Sequence, residues 1–222
     1  MTSARAGKLV APEPAPRGDT SVRILAAAEK LFAEHGFGAV SISAVAVGAG
    51  VSKANVFHHF GSKRALYLAV LRNACRDAAQ RLEHLETHRG RFQERFSAYA
   101  VDMLDTMLER GQLHRLMQRE LLAEDDGRLA KELAERVFGE KFARLVAILR
   151  TGQARGELRA DFDPAIAAIT LIGANVFFLQ SRGVLRHLPD AGAAVDPRRY
   201  GAALADMLLR GMLAPGAGAA QR

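Results

Sequence analysis

Three serines, each standing before a short run of small and apolar residues, constrain this chain more than any other feature. Residues 41–63 read SISAVAVGAGVSKANVFHHFGSK. Ser41 is a good N-cap, because its hydroxyl can accept from backbone donors that the first turn of a helix leaves free. Ile42, Val45 and Ala46 then fall on one face at helical spacing. Gly48-Ala49-Gly50 stops that helix, since glycine tolerates the positive φ of a sharp turn. Ser52 caps a second helix. Val51 before it and Val56 inside it form a hydrophobic staple that fixes the entry angle. Val56 and Phe60 point inward, which leaves Lys53, Ala54, Asn55, Phe57, His58 and His59 for the other faces. Ser62 caps a third helix that Lys63 opens. Two short helices at a fixed angle, the second showing small, polar and cationic groups, make a helix-turn-helix.

Charge points the same way. No acidic residue lies between Glu34 and Asp77, while the interval carries Lys53, Lys63, Arg64, Arg72 and Arg76. A surface that meets phosphate must avoid carboxylates, which repel the DNA backbone at short range. At this chain's acid frequency such a gap is roughly a one-in-a-hundred event for a given window.

The chain has 222 residues and is 49% hydrophobic, enough for a sizeable core. No segment alternates as a strand would, so the class is all-α. The net charge of +7 suits an anionic partner. The single Cys75 excludes an internal disulfide and fits a reducing cytoplasm. The N-terminus lacks the apolar stretch of a secretory signal. Residues 1–18 read as a flexible basic arm: Pro12, Pro14 and Pro16 block regular structure, and the net charge is +2. Such an arm is either an untethered tail or a segment laid along DNA. A first helix runs from Asp19 or Thr20 to His35, with Ile24, Ala28, Leu31 and Phe32 on its apolar face and Gly36 after its end.

RILAAAEKLFAEHGF followed by Ser41 and VAVGAGVSKANVFHHFGSKRAL closely resembles the N-terminal DNA-binding domain of the TetR family of bacterial transcription regulators. The likeness covers roughly residues 20–70. It implies a three-helix DNA-binding domain with helix-turn-helix over 19–65 and a larger helical ligand-binding and dimerisation domain over 66–213; the glycine-, alanine- and proline-rich residues 214–222 read as a flexible tail. The likeness also implies a homodimer, a palindromic double-stranded operator and an unidentified small-molecule effector that releases the DNA. Carried over by position, Ser41 touches phosphate and Ser43 reads a base. Lys53, Ala54, Asn55, Phe57 and His58 lie on the recognition helix, and His59 and Lys63 hold the backbone. The family usually has tyrosine where Phe57 stands. Without the hydroxyl, Phe57 is left to touch a thymine methyl, lie on sugar atoms or pack inward.

The helix opened by Ser62 is expected to reach about Leu85 and to link the DNA-reading domain to the rest, with His88-Arg89-Gly90 as its end. Helices are expected at about 91–110, at 113–121 and, after the turn Asp125-Asp126-Gly127, at 128–154, closed by Gly152 and Gly156. Tyr99, Met103, Met107, Met117, Phe138, Phe142, Asn175 and Phe178 are candidates for an adaptable apolar pocket; ordinary core packing is the competing account. Residues 164–181 carry no charge. A helix apolar nearly all round must be buried on more than one side, and a partner subunit explains this better than a membrane span does. With the last helix, about 198–213, it offers Ile169, Ile172, Val176, Leu204, Leu208 and Met212 as a four-helix dimer interface.

No Gly-rich phosphate loop, nucleophile elbow or Cys/His ligand spacing is present, so no catalytic residue, metal or cofactor is expected. His58 and His59 point about 100° apart on a helix, a poor geometry for sharing one ion. The acids of 120–126 read as a capping turn. Three function classes remain: a ligand-responsive repressor, a regulator or activator without a small ligand, and a helical carrier or enzyme with a vestigial DNA domain.

Overall fold

The computed structural model describes residues 17–111, 114, 117 and 128–214. Residues 1–16 of the expected basic arm, almost all of the helix at 113–121, the turn at 125–127 and the tail beyond 214 lie outside the described residues, while residues 17 and 18 of that arm belong to the first helix. Among those described, every regular element is helical. The chain divides into two compact units that meet at Tyr67 and Leu68.

The first unit holds α1 (Arg17–Ala39), α2 (Ile42–Ala49), α3 (Lys53–Phe60) and the opening of α4 (Lys63–Ala74). Helix α1 starts before either expected cap. It continues past the expected end at His35 and is bent at Gly36, whose φ of 79° a side chain would resist. Ile24, Ala28 and Phe32 are wholly buried, one helical face apart by four residues each. This face packs on α2. At the far end Tyr67 meets the Phe32 ring edge-on at 5.1 Å and Phe37 at 4.8 Å. Each such aromatic pair contributes about 0.5–1.5 kcal/mol beyond burial.

In the second unit the expected linking helix is broken. Helix α4 stops at Ala74 and α5 (Arg76–Thr87) follows. The break is at Cys75, with φ −94° and ψ 8°. Its N–H is shared between the carbonyls of Leu71 and Arg72, and its own carbonyl accepts from Ala78, a tightened i→i+3 turn. Helix α6 (Phe92–Glu109) then packs against α5, α9 (Pro164–Leu185) and α10 (Pro197–Met212). Between them lies the core: Leu82, Leu85, Phe96, Tyr99, Met103, Leu145, Leu149, Leu171, Leu204, Leu209 and Met212 are all buried. Each large apolar side chain removed from water this way contributes about 1.5–3 kcal/mol.

The expected long helix at 128–154 is also interrupted. Helix α7 (Arg128–Leu133) widens into a π-turn over Ala134–Phe138 before α8 (Gly139–Ala154). The N–H of Gly139 reaches back five residues to Ala134 O, and a Cβ on Gly139 would lie 2.5 Å from that oxygen. Glycine is the one residue that closes this turn. Gly152 does not end α8. It is buried within it, and Leu158 packs where its Cβ would stand. The helix ends at Ala154, and Arg144 ties it to α5 through Glu86 Oε2 at 2.7 Å and 3.1 Å. Helix α9 begins as expected, with Asp163 Oδ1 accepting from Ala165 N–H at 2.7 Å and Pro164 in the first turn. It runs to Leu185. Asp196 caps α10 through Arg199 N–H at 2.8 Å, again with a proline following.

Candidate nucleic-acid interface

The helix-turn-helix is held by the caps expected of it. Ser41 Oγ accepts from Ala44 N–H at 3.0 Å, and Ser52 Oγ accepts from Asn55 N–H at 3.1 Å. Each cap contributes about 1 kcal/mol. Between them Gly50, in the left-handed region at φ 64°, donates to Ala46 and Val47 while Val51 N–H returns to Ala46 O. This double closure of the C-terminus fixes the angle between α2 and α3. Val56 is buried at 1% exposure and anchors α3. Ser62 Oγ caps α4 through Ala65 N–H at 3.0 Å.

With Val56 inward, Lys53, Ala54, Asn55, Phe57 and His58 are exposed and His59 is half-buried. Phe57 is 42% exposed, so it is not a core residue. Its ring lies 6.0 Å from the Lys53 ammonium, which leaves its far side free for sugar or a thymine methyl. Ser41 and Ser43 are exposed on α2. The Ser41 oxygen accepts the cap bond, so its hydroxyl proton stays free to donate to a phosphate.

Lys63 makes contacts within its own unit. Its Nζ donates to Gly38 O at 3.1 Å and sits 4.6 Å from the Phe37 ring centroid. The amine closes the end of α1 and is only half-exposed.

Two side chains that sequence reasoning missed join the surface. Arg23 of α1 is exposed and lines a cleft of about 640 Å³ with Thr20, Val47, Ser52, Asn55, His58 and His59. A basic residue on the solvent side of the helix that packs on α2 was the available signal. Val47 is 83% exposed on the same face of α2 as Ser43, four residues on. An apolar side chain so open in a folded unit suits a partner surface.

The pocket candidates of the second unit lie in or close to its core. Tyr99 and Met103 belong to the core, with Met107 and Phe142 packed against it. Burial pushes the Tyr99 hydroxyl up to about 12. Met117, Asn175 and Phe178 are buried, and Phe138 is half-buried in the π-turn. Phe178 stacks on Tyr200 at 4.2 Å, and the Tyr200 hydroxyl donates to Ala174 O at 2.7 Å.

The interface candidates need correction. Leu204 and Met212 are 6% and 4% exposed, members of the chain's own core, and cannot meet a second copy. Ile172, Val176 and Leu208 are half-buried. The open apolar face of α9 holds the expected Ile169 together with Ile166, Phe177 and Val184, each 59% to 65% exposed, with Met207 of α10 at 66%. Helix α9 is apolar and long enough to cross a membrane by length and composition. It nevertheless packs with α6, α8 and α10 around a shared core. Among the described residues no three potential metal ligands come together.

Comparison with known proteins fits this surface. Residues 24–70 match the sequence model of the bacterial regulatory proteins, tetR family. The transcriptional regulator UidR of Escherichia coli is 26% identical over 161 residues, 69% of this chain and 76% of its own length. The transcriptional activator FasR of Mycolicibacterium smegmatis is 43% identical over 56 residues, 25% of this chain and 26% of its own. Among solved structures, the SmeT–triclosan complex superposes with a TM-score of 0.67 at 25% identity, covering 89% of this chain and 93% of that one. SmeT is also solved as the repressor of a Stenotrophomonas maltophilia multidrug efflux pump, with a TM-score of 0.66, 24% identity, and 90% and 94% coverage. The exposed recognition helix and the matched stretch agree: residues 24–70 carry the helix-turn-helix domain of the bacterial regulatory proteins, tetR family, and the chain is similar along most of its length to helix-turn-helix transcriptional regulators.

Proposed function

We propose that this chain is a homodimeric repressor that binds a palindromic DNA operator through the unit up to Tyr67 and releases it when a small molecule binds the unit from Leu68 onward. The observation that carries the DNA half is α3: Lys53, Ala54, Asn55, Phe57 and His58 stand open on a rigidly capped helix, in a stretch without a carboxylate. Lys53 supplies charge, Asn55 can pair with an adenine edge, and Phe57 can meet a thymine methyl. Arg23, Ser41 and His59 flank them as phosphate contacts.

The dimer half is supported by the apolar face of α9. One helix-turn-helix reads only a few base pairs, whereas a two-fold pair reads half-sites roughly 34–36 Å apart or a multiple of that. Effector release is supported by the SmeT–triclosan complex, a relative of the same fold with a small molecule bound. Activation is the second reading, favoured by the FasR match, which is confined to about a quarter of the chain. A cytoplasmic location follows from this function.

The test is selection of DNA fragments by the purified full-length protein. A palindrome bound by two chains supports the reading. Binding without sequence preference, or by one chain to one half-site, overturns it. Transcription from a promoter overlapping the selected site separates repression from activation.

A further inference from the structure

Asn175 differs from every other described side chain of the second unit. It is 0% exposed, and neither its Oδ1 nor its Nδ2 has a hydrogen-bond partner. Buried amides in folded proteins are almost always paired, because stripping them of water is otherwise uncompensated. Arg81 and Arg95 also bury an unpaired Nε, but each keeps other bonds: Arg81 donates to Thr106 Oγ1, and Arg95 to Leu85 O. Asn175 keeps none.

A second copy of the chain cannot complete it. The open face of α9 carries Ile169 and Phe177, whereas Asn175 shares its face with the buried Leu171 and Phe178. Whatever pairs with Asn175 enters the interior of one chain. Beside it, Phe178 is fixed by its stack on Tyr200, and the Tyr200 hydroxyl is already committed to Ala174 O. A rigid aromatic wall therefore stands next to an unsatisfied carboxamide.

Resting on the ligand-responsive reading above, we propose that Asn175 is the polar anchor of the effector site. The effector is a mainly apolar, uncharged molecule carrying one amide-like group. The reason is complementarity. A carboxamide offers one acceptor and one donor side by side, so an amide partner satisfies both with two parallel bonds. A carboxylate has only acceptors and sets a negative charge against Oδ1, while an ammonium leaves Nδ2 unpaired. Helix α9 carries no ionised side chain from Pro164 to Ser181 to balance either one.

The chain contains three asparagines, Asn55, Asn73 and Asn175, so selective 15N-asparagine labelling of the full-length protein gives three side-chain amide signals. Asn175→Leu assigns one by deleting it, and Asn175→Thr does so if the leucine variant misfolds. Three probes of similar shape are titrated: benzamide, benzoate and ethylbenzene. Benzamide is expected to shift the Asn175 signal and to bind about tenfold or more tighter than ethylbenzene, with benzoate inactive. The leucine variant is expected to lose that preference and, free of probe, to melt about 2–4 °C higher because the orphan group is gone. An Asn175 signal unmoved by benzamide, or moved equally by ethylbenzene, overturns the anchor, as does a lower melting point for the leucine variant. Operator binding is measured in the same titration. An Asn175 signal that moves while operator affinity stays constant overturns effector release and keeps the anchor. Operator release with Asn175 unmoved does the reverse.

Discussion

Helices α3 and α9 are both surface helices, and each presents what its partner lacks. Helix α3 buries one valine and opens a lysine, an asparagine and a histidine around a single phenylalanine. Helix α9 opens Ile166, Ile169, Phe177 and Val184 and hides Asn175 inside. The first suits a hydrated polyanion, where charge supplies affinity and base edges supply choice. The second suits an apolar copy of itself, where removal from water supplies nearly everything. Exposure alone therefore says little about function; the chemistry of the exposed face separates the two.

The comparison can be broken most sharply at α9. Phe177→Glu should yield monomers by sedimentation and lower operator affinity at least about 100-fold, because the half-sites no longer bind as one unit. A dimer that survives this change would move the interface elsewhere. On α3, Asn55→Ala should cost about 1–3 kcal/mol of operator binding and relax choice at the base pair it faces, measured by titration against single-site operator variants. A finer contrast pits two lysines against each other. Lys53→Met should lower the slope of log affinity against log salt by about 1. Lys63→Met should leave that slope alone and cost about 1 kcal/mol of stability, since its amine serves Gly38 O and the Phe37 ring. The smallest effect concerns His114, whose pKa burial lowers from 6.5. The unfolded chain takes up this proton first as pH falls, so its contribution to stability is present above pH 6.5 and lost on acidification through the depressed value. His114→Gln should flatten the acid limb of a melting-temperature profile slightly.

Much of the first unit was legible because its signals are local. Ser41, Gly50 and Ser52 act on their own neighbours, and Ile24, Ala28 and Phe32 repeat at helical spacing. The bond that holds Lys63 is not legible for the opposite reason: the carbonyl it reaches lies 25 residues away. In the second unit, α10 has apolar residues on several faces, so periodicity could not decide whether Leu204 or Met207 turns outward. The break at Cys75 and the π-turn at Ala134–Phe138 leave no composition signature, as neither residue stretch contains proline. Asn175 was legible as a polar residue in an apolar helix, but its lack of any partner is a property of the packing around it.

The π-turn also bears on how this chain compares with its relatives over time. A turn closed by a bond spanning five residues holds one residue more than an α-helical turn of the same rise. It thus accommodates one residue more than the α-helix needs without rotating the helix on either side, and Leu133 and Leu145 are both buried. An ancestor or cousin one residue shorter between 133 and 140 would carry a straight helix there with the same inward faces. Removing Ala134 from this chain should recreate it and lift the requirement for glycine at 139.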